Sequence, residues 1–152
     1  MDNKCLIIAP DVIRGLQPNE VFVFPTYRSG NLYRGLSTQL FIGINGYKSP
    51  DIPRKGAQGS LYGIRVMNTP KKGDFNAALQ EEMNAFVQFA WAHQEYLFLM
   101  SKDGWKGKGA AFPFDLERFV EDAYNVGNIA VSPIIYNHSG FSCNHRRLGD
   151  ER

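Results

Sequence analysis

The sequence predicts an α/β domain, because short apolar runs rich in β-branched and aromatic residues alternate with longer stretches whose apolar residues recur every three or four positions. Size supports this: 152 residues at 43% hydrophobic composition are enough for one domain to bury roughly two thirds of the surface its unfolded chain exposes. No internal repeat or low-complexity linker interrupts residues 1–136, so the alternation belongs to one unit rather than to an array.

Residues 5–9 and 21–24 are short apolar runs closed by Pro10 and Pro25, and they predict two buried strands, with a turn between them from Arg14 to Asn19. Gly30-Asn31 offers a helix start, and Leu32, Leu36, Leu40 and Ile44 follow at four-residue spacing. A helix over about residues 31–42 follows, weakened by Gly35 and stopped by Asn45-Gly46. Residues 48–59 hold two prolines, two glycines and four charged residues, which reads as a long surface loop and a candidate lid.

Strand character returns over residues 61–67 and breaks at Asn68-Thr69-Pro70. Asp74 can then cap a helix whose Phe75, Ala78, Leu79, Met83, Phe86, Val87 and Ala90 share one face. Residues 96–100 form an apolar strand that feeds a glycine-rich loop over 101–109, and residues 113–125 a third helix, capped at Asp115 or its neighbours. Residues 129–131 are the last expected strand. The division is one α/β domain over residues 1–136 and a polar C-terminal extension over 137–152, either docked or loose.

Seventeen Lys and Arg against fifteen Asp and Glu leave a net charge of +2, too little to act as a field for nucleic acid, so any anion binding must be local. Two cysteines, Cys5 and Cys143, do not make a secreted disulfide scaffold and point to a reducing cytoplasm. The four apolar residues 6–9 behind Met1-Asp2-Asn3-Lys4 make neither a signal peptide nor a span, and no later apolar run approaches the ~20 residues a membrane helix needs.

Gly104-Trp105-Lys106-Gly107-Lys108-Gly109 is the most informative segment. Its glycines let successive amides approach an anion, its lysines add charge, and Trp105 offers a flat surface for a base. It is not a P-loop, since Gly109 precedes Ala110-Ala111 rather than Lys and a hydroxyl residue. The plain alternative is a solvated turn. A second candidate is Thr26, Arg28, Ser29, Gly30 and Asn31, between a strand and a helix start whose free amides favour an anion; ordinary capping is the plain alternative there. Both loops follow strands, and ligands of open α/β sheets sit beyond the carboxyl ends of strands, where Arg65 and Asn68 would join them.

For chemistry, Asp103 is the one candidate general base, though an Asp in a loop is also a turn former. His93 reads as a cap at a helix C-terminus. His138, Cys143 and His145 are three possible metal ligands within eight residues, but a fourth is missing and the spacing fits no common zinc motif. No metal and no cofactor is expected.

Asn19-Glu20-Val21-Phe22-Val23-Phe24, Gly59-Ser60-Leu61-Tyr62-Gly63-Ile64, the helix end Phe86-Val87-Gln88-Phe89-Ala90-Trp91-Ala92-His93, and Tyr96-Leu97-Phe98-Leu99-Met100 before a glycine loop together resemble a family of small macro-domain-like proteins of bacteria, prophages and phages. The resemblance spans about residues 19–135. It implies a three-layer α/β/α fold with a mixed, mostly parallel central sheet that binds ADP-ribose or a related nucleotide. Two loops depart from the family pattern: Pro25-Thr26-Tyr27 stands in place of Gly-Ser-Asn, and Gly104-Trp105-Lys106-Gly107 in place of Gly-Cys-Gly. Those departures favour binding over an inherited hydrolysis.

The leading expectation is therefore a module that binds a phosphate-bearing nucleotide, ADP-ribose-like or cyclic, and the family's occurrence extends it to a phage protein that sequesters a host defence signal in the host cytoplasm. Two alternatives stand beside it. One is a non-enzymatic interaction protein or inhibitor that meets a host protein through exposed aromatics and the basic Arg146-Arg147. The other is an ADP-ribose-type hydrolase working through Asp103.

Overall fold

The computed structural model describes residues 4–13, 15–27, 56–58, 61–66, 77–102, 104–105, 112 and 114–149. In chain order these form β1 (Leu6–Ile8), β2 (Glu20–Tyr27), β3 (Gly56–Gln58), β4 (Leu61–Val66), α1 (Ala77–Ala92), β5 (Leu97–Met100), α2 (Leu116–Val126), β6 (Ile129–Val131), α3 (Pro133–Ser139) and β7 (His145–Arg147). One seven-stranded sheet runs β3-β4-β2-β5-β6-β1-β7. Among the described residues only the β3–β4 pairing is antiparallel; the other five are parallel. The fold is thus α/β with a mixed, mostly parallel sheet, and α1, α2 and α3 each lie between two of its parallel strands in the chain, as parallel pairing requires.

Alternation along each strand divides the core in two. Val21, Val23, Tyr62, Ile64, Phe98, Met100, Ile129 and Val131 meet the buried stripe of α1 (Leu79, Met83, Phe86, Ala90), that of α2 (Phe119, Val120, Ala123), and Ile135 of α3. Phe86 sits at the centre of this layer, its ring 5.6 Å from Phe98, edge-on, and 5.0 Å from Tyr62. The intervening residues Phe22, Phe24, Leu99 and Ala130 pack on the opposite face with Ala9, Ile13, Leu16 and Leu148. Three described helices thus cover one face. The helix expected over 31–42 and the Asp74 cap lie outside the described residues.

Helix α2 carries both of its stop signals. Asp115 accepts a hydrogen bond from Arg118 N at its start, and Gly127 at its end adopts φ 90° and donates its N–H to Ala123 O, the left-handed C-cap that glycine provides without strain. The next residue, Asn128, is buried and points Nδ2 at Ala90 O, His93 O and Tyr96 O, 2.9–3.1 Å away. It joins the end of α1 to the strands that follow.

Three expectations are corrected. Pro25 does not close the second strand, since β2 continues to Tyr27. The β2–β5 ladder ends at Val23 opposite Met100, with Ser101 N donating to Val23 O. Residue 25 faces that same finished side, so its missing N–H breaks no ladder bond, while pairing with β4 continues through Tyr27. Residues 56–58 of the expected surface loop are instead the antiparallel edge strand β3. The boundary at residue 136 falls inside α3, and the extension beyond it is docked: β7 lies parallel to β1, with Leu148 N donating to Ile8 O. Its three residues are all exposed, so no apolar alternation announces the strand.

Candidate functional site

Because β1, β2, β4, β5 and β6 are parallel, their carboxyl ends share one edge of the sheet. Thr26 and Arg65 lie one residue before the ends of β2 and β4 and are register partners, so two of the expected site residues are neighbours at this edge. The exits of β5 and β6 lie on the same edge. Arg28, Ser29, Gly30, Asn31, Asn68, Asp103, Lys106, Gly107, Lys108 and Gly109 lie outside the described residues; the strands that lead to them all end here.

The exit of β5 is held from two directions. Ser132, fully buried at the end of β6, donates its hydroxyl to Lys102 O at 2.8 Å. Trp105 donates Nε1–H to Ser101 O, also at 2.8 Å. Between them Gly104 takes φ 102°, a conformation in which a Cβ is strained, and the chain turns back so that the indole re-enters the core. In a parallel ladder the next donor toward Ser101 O would be the N–H of residue 25. Residue 25 is proline, and the indole supplies the missing hydrogen bond.

This overturns the role expected for Trp105. The side chain is 1% exposed and belongs to the core beneath the helices, so it has no face for a base. The cause is energetic: a large ring removed from water, with its one donor paired, is worth more inside than as a solvated platform. Ser132 was missed at the sequence level. Ser followed by Pro reads as an N-cap, but the Ser132 hydroxyl makes no cap bond with α3 and is spent on the neighbouring loop.

The polar side chains of the C-terminal segment are engaged separately. His138 Nδ1 bonds Ile134 O of its own helix at 2.9 Å, and His145 Nδ1 lies 2.9 Å from the Tyr136 hydroxyl. Burial pushes the Cys143 thiol up, with Cys5 adding to the shift, so it is no activated nucleophile. Among the described residues no three His, Cys, Asp or Glu side chains gather as metal ligands. His93 follows the last turn of α1, packs its ring at a tilt against Phe89 and pairs with Glu95 Oε2 at 3.2 Å. No helix among the described residues is long and apolar enough to cross a membrane.

The edge can therefore offer a ligand the ends of five adjacent strands and one loop whose first residues are held by hydrogen bonds from Ser132 and Trp105. No family model matches the chain, and neither does any curated protein or solved structure at a significant level.

Proposed function

We propose that the carboxyl edge of the sheet binds a phosphate-bearing nucleotide, ADP-ribose-like or cyclic, and that the protein is a binding module that sequesters this ligand. The observation that carries the reading is the exit of β5, where Ser132 and Trp105 pin Lys102 and Ser101 ahead of the glycine- and lysine-rich residues 106–109. A loop fixed at its root presents its amides to an anion with less ordering cost than a free one. Thr26 and Arg65, adjacent across β2 and β4 at the same edge, support assigning the second candidate segment to this site. With Trp105 in the core, contact with the base falls to other residues. A host defence signal is the cargo that the phage occurrence of the resembling family implies.

The test is a thermal-shift panel at low salt with ADP-ribose, NAD, mononucleotides, cyclic mono- and dinucleotides and inorganic phosphate. A ligand at 100 times its Kd stabilises by about 2.7 kcal/mol, which moves the midpoint by several degrees in a domain of this size. The expected result is a selective shift that vanishes in Lys106→Ala/Lys108→Ala. A flat panel overturns the reading.

A further inference from the structure

Among the described residues strand β7 ends the sheet, pairing with β1 on one side, and its three residues are exposed. The ladder shows which backbone groups remain. Asn144 O accepts from Leu6 N at 2.8 Å and Leu148 N donates to Ile8 O at 3.0 Å, so residues 144, 146 and 148 serve β1. Successive residues of a strand aim their N–H and C=O to alternate sides. His145 and Arg147 therefore direct two donors and two acceptors outward, and among the described residues no backbone group meets them.

The charge on this edge selects what can pair with it. Arg147 is bonded to Asp11 at 3.1 Å and His145 to Tyr136. Arg146 is exposed and has no ion pair among the described residues. A second copy pairing antiparallel about a two-fold axis centred on residue 146, which uses the outward groups of both His145 and Arg147, would set Arg146 opposite Arg146, and like charges directly opposite are destabilising. The edge is guarded against its own kind and is complementary to an extended chain with a carboxylate facing Arg146.

We propose that the outer edge of β7 docks an extended acidic segment of a partner protein, which adds to the sheet as a further strand. The backbone groups of His145 and Arg147 supply the pairing, and Arg146 supplies the preference for Asp or Glu. This surface is independent of the nucleotide reading and stands or falls without it.

The test uses the full chain and two fluorescein-labelled peptides, one of alternating Val and Glu and one of alternating Val and Lys. Binding is read by anisotropy at low salt, and amide exchange by NMR. The Glu peptide is expected to bind more tightly than the Lys peptide and to slow exchange at His145 and Arg147. Arg147→Pro removes an outward N–H that β1 does not use and is expected to weaken binding about tenfold or more, a loss of about 1.4 kcal/mol. Arg147→Ala, which keeps the N–H, controls for the lost ion pair and retains most of the affinity. Arg146→Glu is expected to reverse the peptide preference. Urea midpoints confirm that each variant folds. No binding of the Glu peptide overturns the proposal, as does binding indifferent to both Arg147→Pro and Arg146→Glu, or protection that appears away from β7.

Discussion

The Ser101 carbonyl is satisfied by a side chain where a strand would ordinarily satisfy it, and the pair Pro25 and Trp105 explains why. Trp105→Phe keeps the buried ring but removes the donor to Ser101 O, and the lost hydrogen bond should cost about 1 kcal/mol. Pro25→Val restores an N–H on the side of β2 that faces Ser101. The two substitutions should therefore be less than additive, with Pro25→Val recovering part of the loss in the Trp105→Phe background; a double-mutant cycle by urea unfolding measures it. Additive costs would show that the N–H of residue 25 does not reach that carbonyl. Tyr62 gives a second residue-scale expectation. Burial, with the Glu82 carboxylate adding, pushes its hydroxyl from 10.0 up to about 12. The folded chain then holds the phenolic proton more tightly than the unfolded one, so this contribution is full below about pH 10 and is lost as pH rises toward 12. Two units correspond to about 3 kcal/mol. Tyr62→Phe should flatten the fall in the urea midpoint between pH 9.5 and 12 by that order.

At the scale of elements, α2 is held by its ends as much as by its face. Asp115→Ala removes the acceptor for Arg118 N and should cost about 1 kcal/mol. Asn128→Ala strips the Nδ2 donor from Ala90 O, His93 O and Tyr96 O at the turn after α1 and should cost about 2 kcal/mol; the pair of urea midpoints ranks the two. Helices α1 and α2 were legible because their periodicity and the Asp115 cap are local signals. β6 was legible because its apolar run is bounded by a turn at Gly127. The failures share a different cause, since each depends on a neighbour that the local pattern does not contain. Pro25 reads as a terminator unless the end of the β5 ladder is known. Trp105 reads as a platform unless its hydrogen bond to Ser101 O is known, and residues 145–147 read as tail unless their pairing with β1 is known. Of the candidate site, sequence reasoning placed Thr26 and Arg65 at a shared edge, and it missed Ser132, whose bond to Lys102 O joins residues thirty apart in the chain.

At the scale of the whole molecule, the C-terminal segment decides where the domain ends. A chain cut after Tyr136 loses the last turn of α3 and all of β7. With them go the bonds from Leu6 N to Asn144 O and from Leu148 N to Ile8 O, and the Arg147–Asp11 ion pair across 136 residues. Leu148 also leaves the opposite-face core beside Ile7, and Phe141 leaves its contact with Tyr124 of α2. The exposed ion pair contributes at most about 1 kcal/mol, so it is not what matters. The apolar contacts of Leu148 and Phe141, both partly buried, together outweigh it, since each is worth a good part of the roughly 1.5–3 kcal/mol of a fully buried side chain, and β1 would become an edge with only three residues and one remaining partner among the described strands, β6. The cut chain is therefore expected to unfold at a distinctly lower urea concentration, by several kcal/mol, and to expose β1 to association. A cut after Gly149 keeps every one of these contacts and should match the full chain. If residues 1–136 instead unfold with an unchanged midpoint and remain monomeric on a sizing column, β7 is an appendage. The domain would then end at the sixth strand, and β1, not β7, would be the edge that partners meet.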